Sequence, residues 1–366
     1  MADLAGAEKT GREQPDDVSN LKDRLAALIA ADGPMPISAY MNACLHDPKL
    51  GYYATRPGLG TDFITAPETS QIFGELLGLW AAHEWQAIGA PDQLNLVELG
   101  PGRATLMSDA LRAGKSVPGF LHSLALTLIE ASPQLRAVQA DRLASYSPQF
   151  GNDLTQIDAG PTLILANEYL DCLPARQFVS IGEGWSERVV GLSESGDLAF
   201  GLANDTVEGI TAPGDQATVE IQPSLDVLVD QLKLLREGGE MFRALFIDYG
   251  PSNRAPGDTL RAYHQGRQVH PLEAPGACDL TVDVDFARLK RLAVAAGLEV
   301  SGPIEQGRFL MALGAEARLN VLAKSQPGQA DALYQGAQKL VDPEHMGRRF
   351  KVICLSSPGL PPPAGF

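Results

Sequence analysis

An α/β fold with a mostly parallel sheet, helices on both faces and a reversed last strand is the class this sequence predicts. Three observations carry it. From residue 94 onward short apolar runs alternate with amphipathic helical stretches, the pattern of strands joined by helical crossovers. The runs end in Gly-rich or polar turns, in a chain with 37 Gly and 26 Pro. The series closes with EVSGPIEQGRFLMALG (299–314), two short strands joined tightly, which predicts an antiparallel pair. At 366 residues the chain has the length of about two domains, and its 45% hydrophobic content supports a sizeable core.

Taken in order, residues 1–17 are polar and acidic and read as a disordered tail. Asn20 is placed to cap a helix whose Leu21, Leu25, Leu28 and Ile29 share one face, and Gly33-Pro34 stop it. ISAYMNACLH (37–46) and the stretch 69–89 carry helical spacing, separated by a long Gly/Pro-rich loop. Strands are predicted at 94–99, 123–130, 161–168 and 243–250, with helices from Thr105 to Ala113, over 133–143 and over 286–298. Residues 175–240, with short alternating runs and the helix SLDVLVDQLKLL, read as an inserted subdomain. The expected organisation is therefore a tail at 1–17, an N-terminal helical and loop region at 18–90, a ligand-binding domain from 91–174 and 241–315, the insert at 175–240, and a C-terminal extension at 316–366.

Composition excludes several functions. The net charge of −16 disfavours nucleic acid and anionic membrane surfaces as partners. No apolar run approaches the ~20 residues that span a bilayer. The N-terminus lacks a signal or Arg-rich transit pattern, and four dispersed cysteines without C-x-x-C suit a reducing compartment, so a cytoplasmic protein is expected, with the mitochondrial matrix the alternative only if a presequence has been removed. No His or Cys spacing recommends a metal site, and none is expected.

The chemistry centres on Glu98-Leu99-Gly100-Pro101-Gly102 at the end of the first sheet strand. Gly100 and Gly102 allow a sharp turn and a close approach to ligand, and the next helix presents its N-terminal N–H groups. A dinucleotide fingerprint needs a third glycine where Thr105 stands, and a diphosphate would not welcome Glu98. A cationic or hydroxyl-bearing ligand would. Glu130 ends the second strand, where a carboxylate accepts both ribose hydroxyls. Asp158 is placed to meet an adenine amino group, with a turn aspartate as the plain alternative. Asn167 and Glu168 end the third strand at the ligand edge. The long segments 51–68 and 251–285, with Tyr52, Tyr53, Phe63 and Tyr263, are expected to wall the site and exclude water.

With these pieces in place the chain resembles class I S-adenosylmethionine (SAM) methyltransferases, whose Rossmann-like sheet ends in a reversed strand. It is more closely similar to the MidA family, bacterial and mitochondrial methyltransferases associated with respiratory complex I assembly. The matching segments are LHDPKLGYY (45–53), TDFITAPETSQIFGELLG (61–78), VELGPGRATLMSDALR (97–112), ANEYLDCLPARQF (166–178), FIDYG (246–250), GDTLRAY (257–263), DLTVDVDF (279–286) and MGRRFKV (346–352). Two positions depart from the family pattern: Ala104 replaces a usual Gly, and Asp283 a usual His.

The resemblance implies SAM as cofactor and a protein-arginine methyltransferase acting on the 49-kDa-type subunit of complex I. On that implication Glu98 lies near the cationic amino-acid end of the cofactor, Gly100 and Gly102 beneath it, Glu130 on the ribose, and Asp158 and Asn167 beside it. Glu168 would lead the grip on a guanidinium with Asp171 and Asn167, and Asp283 or Asp285 could join from the long loop. Two other readings stand: a non-catalytic SAM-binding assembly factor, and an NAD-dependent oxidoreductase, against which the missing third glycine counts.

Overall fold

The computed structural model describes residues 20–55, 65–182, 184–207, 217–253 and 257–366. The expected tail at 1–17 and Phe63 lie outside them. The centre is a seven-stranded sheet of β1 (Leu94–Leu99), β2 (Leu124–Ile129), β3 (Gln149–Gly151), β4 (Thr162–Asn167), β5 (Phe242–Tyr249), β6 (Glu299–Glu305) and β7 (Phe350–Ser356), in the spatial order β6-β7-β5-β4-β1-β2-β3. The pairs β5–β4, β4–β1, β1–β2 and β2–β3 are parallel, and β7 runs antiparallel to both β5 and β6.

Each strand divides its apolar residues between two cores by alternation. Leu94, Leu96, Leu163, Leu165, Leu245, Ile247, Val352 and Cys354 pack against the helices Gln71–Ala87 and Thr105–Gly114. Val97, Leu99, Ile164, Ala166, Ala244, Phe246, Ile353 and Leu355 pack against Ser224–Glu237 and Phe286–Ala295. Asn20 caps its helix as expected, and the side chains of Ser70, Ser132 and Asp285 likewise accept an N–H in the first turn of theirs.

The strand ending the sheet corrects the sequence reading. Only 299–305 of the expected closing pair is a strand, and Gln306–Ala312 is a helix. The reversed strand is β7, from the segment taken as a C-terminal extension. FKVICLS is buried at all seven positions, so it fits between two neighbours, whereas RFLMA has Phe309 and Leu310 buried and Met311 exposed, a one-sided helical pattern. The other expected boundaries do not follow the packing either. Helix 224–237, placed in the insert, covers the main sheet. Helices Leu21–Asp32 and Ile37–His46 share a core with Val190 of the insert's antiparallel sheet and with Ala262 and Leu280 of a small sheet at 261–281, while helix 71–87 belongs to the main sheet.

Candidate active site

The carboxyl ends of the parallel strands open into a cavity of about 440 Å³. The turn after β1 supplies Gly100, Pro101, Gly102 and Arg103; Glu130 follows β2; Asn152 follows β3; Asn167 ends β4, with Glu168, Tyr169 and Asp171 in the turn after it; and Tyr249 ends β5. Asn42, His46, Tyr52, Tyr53, Pro67 and Glu68 close it from the N-terminal region, with Asp279 and Thr281 from the small sheet. Of the two long segments, the described residues Tyr52, Tyr53, Thr65, Pro67 and Glu68 of the first and Asp279 and Thr281 of the second line the cavity. Tyr263 lies instead in a neighbouring cavity.

The turn after β1 depends on left-handed backbone. Gly100 has φ +60°, and a Cβ there would stand 3.0 Å from the Tyr169 ring; Gly102 has φ +53°. Ala104 also adopts φ +57° with its methyl fully buried. Its departure from the family glycine is therefore a conformational cost, on the order of 1–2 kcal/mol.

Two carboxylates flank this turn. Glu98 is 3% exposed, its Oε2 has no hydrogen-bond partner, and burial, with repulsion from Glu130, pushes its carboxyl up to about 8. Glu130 accepts from Ser132 N (2.8 Å) through Oε1 and from Gln139 Nε2 (3.1 Å) through Oε2; burial still raises its pKa. Gln139 also donates to Gly102 O (2.7 Å), tying the glycine turn to Glu130. Nothing in the sequence marks this fully buried glutamine as part of the site.

Across β1 from Glu130, the turn after β4 holds the second acidic group. Glu168 is itself at φ +51°, a strained conformation for a side-chain-bearing residue. Its Oε1 accepts from Ala66 N and from Asn167 Nδ2, both at 3.0 Å, and burial outweighs these bonds and pushes its carboxyl up to about 7. Asp171 accepts from the Tyr249 hydroxyl (2.5 Å) through Oδ2 and is raised to about 6 by burial; its Oδ1 has no partner. Asp248, fully buried in β5, organises the turn: its Oδ2 accepts from Leu170 N (2.8 Å) and Asp171 N (3.1 Å). Its own pKa lies well above the usual carboxylate range through burial and repulsion from Asp171. After Tyr249 the chain passes Val284 so closely that a Cβ on Gly250 would meet Val284 O at 2.5 Å.

The structure thus gathers Glu98, Gly100, Gly102, Glu130, Asn167, Glu168 and Asp171 around one cavity. Asp158 is corrected: it precedes the amino end of β4, where its carbonyl accepts from Asn95 Nδ2 (2.7 Å), and it is absent from the cavity wall. Asn152, directly after β3, lines the cavity instead. The sequence reading missed this because a three-residue strand carries no periodic signal. Asp283 is held by Arg261 and Arg349, and Asp285 caps helix 286–295, so neither joins the wall. Arg103, one residue past the Glu98–Gly102 motif, was not among the expected site residues and supplies the one guanidinium of the wall among the described residues.

Comparison with known proteins agrees with this geometry. The family model described as "Putative S-adenosyl-L-methionine-dependent methyltransferase" matches residues 76–304. The zebrafish (Danio rerio) mitochondrial protein arginine methyltransferase NDUFAF7 is 38% identical, over 90% of this chain and 85% of that protein. The human counterpart is 35% identical, over 89% and 81%. A crystal structure from Burkholderia thailandensis bound to S-adenosyl-homocysteine superposes with a TM-score of 0.80 at 26% identity, covering 94% of this chain and 93% of that one. The relatives' names are mitochondrial, which runs against the cytoplasmic expectation. No helix among the described residues is long and apolar enough to cross a membrane.

The cavity suits the family's cofactor. Glu98 Oε2, Asn167 Oδ1 and Asp171 Oδ1 are buried acceptors without a partner among the described residues, matching a ligand that brings hydroxyl and ammonium donors and a sulfonium charge. A diphosphate would bring further negative charge against Glu98, Glu130, Glu168 and Asp171, with Arg103 the one guanidinium of the described wall to offset it. By sequence, fold and site, this chain belongs to the S-adenosyl-L-methionine-dependent methyltransferases.

Proposed function

We propose that this methyltransferase modifies an arginine guanidinium of a polypeptide, the complex I 49-kDa-type subunit being the target that the MidA resemblance implies. The observation that carries the reading is the acid pair Glu168 and Asp171 at one end of the cavity, among Tyr52, Tyr53 and Tyr249. The names of the relatives, arginine methyltransferases, support it.

SAM, when bound, supplies a methyl group on a sulfonium. Glu130 would take the ribose hydroxyls, Gly100 and Gly102 would let the backbone come close to the cofactor, and Glu98 would meet its ammonium and Arg103 its carboxylate. Strands β2 and β4 lie on either side of β1, so Glu130 and Glu168 sit roughly 10 Å apart along the sheet edge. The nucleoside and the reacting group therefore have separate ends of one cavity.

A guanidinium is a poor nucleophile because its electrons spread over three nitrogens and it stays protonated. Glu168 and Asp171 grip two of its N–H groups and concentrate positive charge away from the third nitrogen. As the N–C bond forms, the sulfonium's S–C bond would break, its electron pair returning to sulfur to leave S-adenosyl-homocysteine, and one N–H proton must leave the nitrogen. Glu168, with a pKa near 7, is matched to take it at neutral pH. The tyrosines exclude water and hold the attacking nitrogen in line. The chain's charge of −16 favours encounter with a basic segment. The test is transfer of isotope-labelled methyl from SAM to arginine peptides, with the product located by mass spectrometry. Label on an arginine nitrogen is expected; label confined to another residue overturns the reading.

A further inference from the structure

Beside the cofactor cavity lies a second one of about 300 Å³, walled by Tyr249, Arg261, Tyr263 and Arg349. Tyr249 is a wall of both, and its hydroxyl is bonded to Asp171, so one ring separates the two. Arg261 pairs in register with Thr281, which lines the larger cavity. Arg349 immediately precedes β7 and lies over the Tyr249 ring, 5.3 Å from its centroid.

The charge here is unbalanced. Arg261 Nη1 stands 3.0 Å from Asp283 Oδ1, and Arg349 Nη1 and Nη2 stand 2.9 and 2.5 Å from its two oxygens. Two guanidiniums on one carboxylate leave a net positive charge in a chain of −16, next to the carboxylates proposed to hold the substrate arginine. Asp283 occupies only part of their donor capacity, since each guanidinium carries five N–H groups. Both side chains keep solvent access, at 32% and 44% exposure. The forks are also held in place, by Asp283 and by the Tyr249 ring, so little freedom is lost when they grip an oxyanion.

We propose that this second cavity is a substrate subsite that takes an acidic side chain, aspartate or glutamate, flanking the methylated arginine. The proposal rests on the arginine reading and adds a sequence requirement to it. An extended chain advances about 3.3 Å per residue, so an acid about two positions from the arginine reaches across the Tyr249 wall. A lysine or arginine at that position meets like charge and is rejected.

The test uses fluorescent peptides with one arginine and one glutamate stepped from three positions before it to three after, each paired with a glutamine version. Affinity for the full-length protein loaded with S-adenosyl-homocysteine is read by anisotropy, which needs no turnover. One register of glutamate should bind about three- to tenfold tighter than its glutamine version. That preference should vanish in Arg349→Gln and Arg261→Gln and partly return in Arg349→Lys, with S-adenosyl-homocysteine affinity unchanged as the control for folding. No glutamate preference at any register, or one that survives both glutamine variants, overturns the subsite. A phosphoserine peptide bound tightly while glutamate gains nothing over glutamine also overturns it, in favour of a phosphate site. A glutamate preference that persists when lysine replaces the arginine at no cost would leave the subsite standing and defeat the arginine reading instead.

Discussion

Glu98 should make cofactor binding depend on pH, in a direction and size that follow from its burial. Its carboxyl is 3% exposed and raised to about 8, so it is mostly protonated at neutral pH in the free protein. An ammonium placed beside it favours the ionised form, which lowers the bound pKa. Binding therefore releases a proton, and affinity rises with pH. With a free pKa of about 8, Glu98 is about 1% ionised at pH 6 and about 24% at pH 7.5, so the dissociation constant should fall about 20-fold across that interval. The window stays below the ligand's own α-amino pKa of roughly 7.7–8.0. At pH 7 about 0.9 proton should be released from Glu98 per molecule bound. Titration calorimetry in two buffers of different ionisation enthalpy reads that number. Glu98→Gln, which keeps the shape, should lose this increment and flatten the pH profile. An identical proton release in the variant would refute the assignment of Glu98 to the cationic end.

Other consequences can be checked independently. Ala104→Gly relieves a left-handed alanine and should stabilise the fold by about 0.5–1 kcal/mol after the entropy of the added glycine, read as a higher midpoint in denaturant; destabilisation would contradict the strain. Glu130→Ala should weaken SAM binding by roughly 1–3 kcal/mol, and unchanged affinity in calorimetry would misplace the ribose. Arg243 and Glu84 form a fully buried ion pair at 3.1 Å that also anchors the C-terminal residues through Ala364 N and Glu84 Oε1 (2.9 Å). Arg243→Met strands that carboxylate and should cost about 3–5 kcal/mol; a loss under about 1 kcal/mol would contradict its structural weight.

Much of the site was legible because the cofactor edge of an α/β sheet is written in local pieces. Glu98 and its glycine turn, Glu130, and the Asn167–Glu168 pair each stand at the end of an apolar run, and placing the runs side by side brings the ends together. Asp158 stands before its strand, at the amino end, away from the carboxyl edge where the ligand sits, so the plain turn aspartate is the reading that fits. The reversed strand was misassigned because β7 arrives from some 45 residues beyond β6, and tight succession favoured the nearer RFLMALG. Asp248, inside an apolar strand, and Gln139, on a largely polar helix, were invisible for a different reason: each acts through partners distant in sequence, here the 168–171 turn and the Gly102 carbonyl. The Arg261–Asp283–Arg349 cluster is likewise formed by three separate segments.

The most direct test of the account compares SAM affinity and turnover in Glu168→Gln. The substitution keeps the oxygen that accepts from Ala66 N and Asn167 Nδ2 but removes the charge and the base. Cofactor affinity should stay within about threefold, while arginine methylation falls by about 10²-fold or more, the range for losing a general base. Near-normal methylation of arginine by this variant would contradict the proposed role of Glu168.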